Sequence, residues 1–357
     1  MTTEYLDQAK SQQFSEKMVG IINGAAMALM SSVGHRTGLF DAMAALTAPA
    51  TTAEVAEKAH LNERYVREWL GAMVTGGIVE HDHEAGTYWL PAEHAAWLTR
   101  AASPNNMACS TQWVAVLGFV EDQVVAAFKH GKGVPYSAYN RFHEVMAEES
   151  AQTTVAGLFE HILPHVPGLV AKLETGIDVL DVGCGSGWGL LAMAEAYPNS
   201  RFTGYDFSEQ AVQSARNQAR QRRLGNVRFE AVDVGEMRDA RAFDLVTAFD
   251  AIHDQAKPDA VLRNIRTALR PTGTFLMQDI LAHSCHHQNV ENPLGPFIYT
   301  VSCMHCMSVS LANGGPGLGA AWGQETALRM LKEAGFKDVT VDKLPHDILN
   351  YYYVARP

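Results

Sequence analysis

An apolar run, Val179-Leu180-Asp181-Val182, leads into Gly183-Cys184-Gly185-Ser186-Gly187, and a helical segment from Trp188 to Tyr197 follows. Glycine has no Cβ to hold a ligand away from the backbone, so this turn can approach one closely. Asp181 stands two residues before the first glycine, where a carboxylate can hold the ammonium of an amino-acid group. Asp206 ends the next apolar run, nineteen residues after Gly187. An acid there can accept from both hydroxyls of a ribose. Asp233 follows a third run, Val227–Val232, and a carboxylate there can accept from an adenine amino group. A glycine turn alone is a weak sign, because nicotinamide and flavin enzymes use a close relative of it. The added acids make the set a pocket for an adenosine-bearing ligand.

Other residues have the chemistry to handle a proton or cover a ligand. His253 follows the fourth run, Phe243–Phe249, by a few residues. That puts it at the carboxyl edge of a parallel sheet, where open α/β folds bind ligands. An imidazole there can act as a base near neutral pH. His143 and His305 are further catalytic candidates. His283, Cys285, His286, His287, Cys303, His305 and Cys306 are all metal-ligand types. Only Cys303 and Cys306 have the spacing of half a zinc site, and no second such pair exists, so no metal is expected. Met304 and Met307 would give this stretch a soft, adaptable surface over a site. His346 follows the sixth strand, whose end points to the ligand side.

These residues need a scaffold. From residue 177 onward, strand-like runs alternate with helical segments: Ile177–Val182, Arg201–Asp206, Val227–Val232, Phe243–Phe249 and Gly273–Asp279, then Val339–Lys343 and Tyr351–Val354. Such alternation builds a parallel sheet with helices on both faces. Residues 283–323 interrupt it and read as an active-site cover. Upstream, Thr51 and Glu54 have the spacing of a capping box, and Asn62 can cap a helix from Glu63 to Thr75. Ile78–Glu80 and Thr87–Leu90 flank a polar turn. Helix, turn, helix and β-hairpin make a winged helix. The expected domains are 1–100 (N-terminal helix and winged helix), 101–165 (helical connector or lid) and 166–357 (cofactor-binding domain).

Bulk properties narrow the partners. The formal charge of −11 disfavours binding to phosphate backbones. Within residues 36–100, five basic side chains face nine acidic ones. The winged helix is therefore expected not to bind nucleic acid. Five cysteines are scattered over a long chain, which fits a reducing compartment. The polar start, MTTEYLDQAK, has no signal-peptide character, and the apolar stretch Ile21–Val33 reads as too short to span a bilayer. A cytoplasmic protein without a membrane partner is expected. Residues 1–35 read as a helix with apolar positions at Phe14, Met18, Ile21, Ile22, Ala25 and Leu29, a face suited to a homodimer.

The strings VLDVGCGSG, GYDFS, EAVDV and FDLVTAFDAIHD resemble the first four motifs of the class I S-adenosylmethionine-dependent methyltransferases. The resemblance covers about residues 170–357. It implies a Rossmann-like sheet of seven strands in the order 3-2-1-4-5-7-6, the seventh antiparallel. It places Asp181, Gly183, Gly185 and Gly187 at the methionine end of the cofactor, Asp206 at the ribose and Asp233 at the adenine, with Phe207 and Val234 also cofactor-binding. Phe249 and Asp250 would lie beside the sulfonium. With the winged helix, the chain also resembles small-molecule O-methyltransferases, in which a His-Asp pair supplies the base. Here the pair is His253-Asp254, followed by Gln255 where that family has Trp. The chain is similar over nearly its whole length to mycobacterial-type winged-helix/methyltransferase fusions, through Gly133-Val134-Pro135-Tyr136, Phe142-His143 and CMHCMSVSLANGGPGLGAAWG. This likeness suggests Tyr136, Tyr139 and His143 as lid residues over the cofactor.

Methyl transfer is an in-line displacement on an activated donor, so alignment is the enzyme's main task. The expected reaction is methylation of a small-molecule thiol, which the Met- and Cys-rich cover favours, or of a phenolic hydroxyl, with His253 as base. An S-adenosylmethionine-sensing DNA-binding regulator and a nicotinamide dehydrogenase are the rival readings.

Overall fold

The computed structural model describes residues 6–357. The chain divides between Ala115 and Val116 into two compact units. Residues 101–115 of the connector thus fall in the first unit and 116–165 in the second.

The first unit opens with a helix, Gln8–Thr37, capped by the Asp7 carboxylate, which accepts from the amides of Ala9 and Lys10. Helices Thr52–Ala59 and Glu63–Thr75 follow. The Thr51–Glu54 capping box forms, and Asn62 caps the next helix, accepting from Arg64 N at 3.0 Å. Phe40, Val55, Val66, Trp69, Leu70 and Met73 are buried between these elements. The wing pairs β1 (Glu80–Asp82) with β2 (Thr87–Trp89), antiparallel. Its first strand starts two residues later than expected. The amides of Ile78 and Val79 both bond to the Met73 carbonyl, at 2.8 and 3.2 Å, and so extend the helix cap instead of the strand.

The N-terminal helix departs from expectation in length. Its 30 residues are long and apolar enough to cross a membrane by length and composition alone. The expected apolar stretch Ile21–Val33 is only part of it, because an α-helix accommodates the flanking and internal Asn, Gly and Ser residues at modest cost. Phe14, Met18, Ile21, Ile22 and Leu29 are exposed, whereas Ser31, Ser32, Gly34 and His35 are buried.

The second unit is built on a seven-stranded sheet: β3 (Asp178–Val182), β4 (Arg201–Asp206), β5 (Val227–Ala231), β6 (Phe243–Phe249), β7 (Leu269–Ile280), β8 (Asp338–Asp342) and β9 (Asn350–Arg356). The spatial order is β5-β4-β3-β6-β7-β9-β8. Counted within the sheet this is 3-2-1-4-5-7-6, as the resemblance implied. Only β9 runs antiparallel to its neighbours. Val179, Leu180 and Val182 of β3 are fully buried, as a central strand covered on both faces requires. β7 is longer than expected because Leu269 pairs with Phe243 across a register shift. The carboxyl ends of β3, β4, β6 and β7 share one edge, and the glycine turn, Asp206, Phe249-Asp250 and Asp279 gather there.

Two further segments serve that edge. Residues 142–162 form a helix interrupted by π-helical turns at Ala151–Val155 and Leu158–Ile162. The 283–323 insertion is largely helical, with Gly295–Val301, a π turn at Ser302–Cys306, and Met307–Ala312. π turns concentrate at functional sites.

Candidate active site

The chain leaves β3 through Gly183, at φ +71°. The amides of Gly183 and Cys184 both donate to the Tyr205 carbonyl, at 2.8 and 3.1 Å, and tie the turn to β4. A Cβ on Gly183 would lie 2.5 Å from that of Ala251. One on Gly187, at φ +74°, would lie 2.5 Å from the Phe229 ring. Neither position tolerates a side chain without displacing a neighbour.

Asp206 is held rigidly at the end of β4. Its Oδ2 accepts from Gly185 N and its Oδ1 from Ser208 N, both at 2.8 Å. Burial raises its pKa, while the two amides pull against that rise. Asp181 is buried, and Thr247 Oγ1 donates to it at 2.6 Å. Burial pushes its carboxyl up to about 7. Asp181, Asp206, Asp250 and Asp254 line one cavity with Gly183, Gly185 and Gly187. Phe207 and Phe249 line it too. Asp233 and Val234 line an adjoining cavity that shares Gly183, Asp206 and Phe207 with the first.

Asp250 adopts φ +51°. Its Oδ2 accepts from Gln278 Nε2 at 3.0 Å, and Gln278 Oε1 in turn accepts from Thr154 Oγ1 at 3.2 Å. Its Oδ1 is buried without a hydrogen-bond partner. Burial, followed by the charge of Asp279, holds this carboxyl well above the usual carboxylate range.

His253 is 3% exposed, and its Nδ1 lies 2.7 Å from Asp279 Oδ1. The same oxygen accepts from Trp322 Nε1 at 2.9 Å. Burial pulls the imidazole pKa down, but the charge of Asp279 and the neighbouring Cys306 thiol outweigh it and hold the pKa well above normal.

A lid covers the glycine turn. Val134 N donates to Ser308 Oγ at 2.9 Å, and Tyr139 OH donates to the Met304 carbonyl at 2.6 Å. Tyr136 OH donates to Asp254 Oδ2. The Tyr136 ring sits 5.2 Å from Phe207, 5.4 Å from Phe142 and 5.3 Å from His305. It lines both cavities.

Comparison with known proteins now bears on this site. Residues 25–100 match the family described as Rv2258c-like winged HTH domain, and residues 173–335 match the family described as Methyltransferase domain. The chain joins a winged-helix domain to a methyltransferase domain. Part of the methyltransferase domain is similar to ubiquinone biosynthesis O-methyltransferase of Coxiella burnetii, 33% identical over 106 residues, 29% of this chain and 44% of that protein. The chain thus spans less than half the length of the curated relatives it matches. In fold it is similar to an O-methyltransferase family protein from Burkholderia thailandensis (14% identity, TM-score 0.66, 96% of this chain and 97% of that one). It is also similar to human N-acetylserotonin methyltransferase in complex with S-adenosylmethionine (17% identity, TM-score 0.67, 100% and 99%). The match to a methyltransferase family sets aside the dehydrogenase reading of the glycine turn.

The human neighbour is in complex with S-adenosylmethionine, and the residues present here fit such a ligand. The glycine turn leaves room where side chains would intrude, and two backbone amides hold the Asp206 carboxylate at the end of β4 beside it.

Not every residue expected at the site reaches it. His143 lines the first cavity, with its pKa drawn down by burial. His305 stacks on Phe142 at 4.2 Å behind the lid. Burial and the neighbouring His253 pull its pKa to about 3, so it is neutral and a feeble base. Tyr139, Met304 and Met307 latch or pack the lid and line neither cavity. His346, expected on the ligand side, stacks against His161 at 4.5 Å and lines neither cavity, because its loop folds back onto the 158–162 turn. His253 lines neither cavity either, whereas Asp254 and Gln255 line both. Sequence reasoning missed Asp279, Gln278 and Thr154. Asp279 had a readable signal, since it ends the apolar run Gly273–Asp279 as Asp206 ends its own.

Proposed function

We propose that the protein transfers the methyl group of S-adenosylmethionine to the hydroxyl or thiol of an aromatic small molecule. The observation that carries this reading is the clamped Asp206 beside a glycine turn that excludes side chains. The names of the relatives, O-methyltransferases, favour a phenolic hydroxyl over a thiol. The bound donor supplies a methyl group already activated on sulfur. The protein's residues do the rest: the glycine turn and acids orient the donor, and Tyr136, Phe142 and Phe207 exclude water.

In this reading His253 takes the acceptor proton, with Asp279 fixing its ring and stabilising its charged form. The Cys306 thiol is its other neighbour, so the 302–306 turn must yield for an acceptor to reach it. The winged helix serves enclosure or pairing, not DNA binding. Its recognition-helix arginines are already paired one turn away, Arg67 with Glu63 at 2.7 Å and Arg64 with Glu68. The exposed apolar face of Gln8–Thr37 supports a homodimer. The free cysteines support a cytoplasmic location.

Calorimetric titration with S-adenosylmethionine and with S-adenosylhomocysteine tests the reading. The wild type binds both. Asp206→Ala loses two charge-assisted bonds and weakens each by about 100-fold. Folded wild type that binds neither would sink the proposal. Tyr136→Phe removes the lid's bond to Asp254, and kcat/KM is expected to fall about tenfold. An unchanged value in steady-state kinetics would show that this contact does not hold the lid.

A further inference from the structure

The cavity beneath the lid is lined by more carboxyl groups than the methyl donor uses. Asp181, Asp206, Asp250 and Asp254 line it, and no lysine or arginine does. The donor brings a sulfonium and an ammonium against one carboxylate of its own. With Asp181 on the ammonium and Asp206 on the ribose, Asp254 and Asp250, the latter expected at the sulfonium where donor and acceptor must meet, are left to face the acceptor.

Both are built for a directed contact. Gln278 holds one Asp250 oxygen at 3.0 Å, which fixes the carboxylate plane, and the other oxygen is buried with no partner. The backbone at φ +51° accepts a cost that Asp and Asn bear better than most residues. Tyr136 anchors one oxygen of Asp254. The rings of Tyr136 and Phe249 line the same cavity, and aromatic faces attract cations.

We propose that the acceptor carries a protonated amine on an aromatic body, its ammonium held by Asp250 and Asp254. The inference rests on the methyltransferase reading and leaves the hydroxyl or thiol as the methylated group. An acceptor bearing a carboxylate is excluded by like-charge repulsion, a repulsive element of the kind that sets specificity.

Three phenols differing in one group test it: tyramine, 4-(2-hydroxyethyl)phenol and 3-(4-hydroxyphenyl)propionate. Each is titrated into protein saturated with S-adenosylhomocysteine. Tyramine is expected to bind at least about tenfold more tightly than the neutral phenol, the value of one charge-assisted bond. The propionate is expected not to bind. Asp250→Asn and Asp254→Asn each erase the tyramine preference. Circular dichroism and an unchanged thermal unfolding transition show that the variants are folded. Equal, reversed or absent binding of the three phenols, with S-adenosylhomocysteine bound, overturns the acceptor inference alone. Failure of S-adenosylhomocysteine itself to bind overturns the donor reading and this inference with it.

Discussion

Replacing His253 by alanine is expected to lower turnover by about 10²- to 10⁴-fold, the usual range for a positioned base, while S-adenosylmethionine still binds. The expectation comes from the pairing of His253 with Asp279 at 2.7 Å in a fully buried setting. It carries a pH signature. The imidazole pKa is raised above its usual value, so below that raised value the base is protonated and idle. Turnover therefore climbs as pH rises past neutrality. Asp279→Asn removes the largest influence that raises the pKa and leaves burial opposed chiefly by Cys306. The rising limb then moves to lower pH, and the plateau falls because the ring loses its fixed orientation. A pH–rate profile unchanged by Asp279→Asn would show that the pair is not coupled to proton transfer. Stability runs the opposite way. A group with a raised folded pKa stabilises fully below its unfolded value, and the benefit fades as pH rises through the folded value. The wild type should thus lose melting temperature on the alkaline side, and Asp279→Asn should lose less there.

Gly187→Ala carries the second large effect, on stability and binding together. The backbone at φ +74° costs a residue with a side chain about 1–2 kcal/mol. The added methyl meets the buried Phe229 ring at 2.5 Å, and overpacking of that kind costs about 1–3 kcal/mol. The total is a large share of a domain's usual margin of about 5–15 kcal/mol. Gly187 opens the helix that begins at Trp188, so the strain falls on the cofactor turn. Denaturant unfolding should show the loss, and calorimetry should show S-adenosylmethionine binding reduced even where the variant remains folded. Wild-type stability in this variant would mean that Phe229 has room to yield.

The cofactor half was legible because each of its signals is local. A strand, a glycine turn and an acid at a strand end lie within a few residues of one another, and backbone geometry dictates their order. The strand order followed from a resemblance that spans the domain. The acceptor half was less legible because its residues meet only through tertiary packing. Tyr136 reaches Asp254 across 118 positions, and Thr154 reaches Gln278 across 124. No spacing rule links such pairs. His305 and His346 show the limit in the other direction. Their residue type suggested proton chemistry, but burial and ring stacking assign them to packing.

The π turns at Ala151–Val155 and Ser302–Cys306 border the site from two sides, one carrying Thr154 and the other His305 and Cys306. A π turn holds one residue more than the α-helix around it needs. Deleting a single residue there would restore the α pitch with the flanking turns still in phase, and would change which side chain each turn presents at the site. The acceptor wall could thus be recast by a change of one in chain length, with the glycine turn and its acids untouched. Length variants in these two turns are therefore the economical library for altering which molecule receives the methyl group.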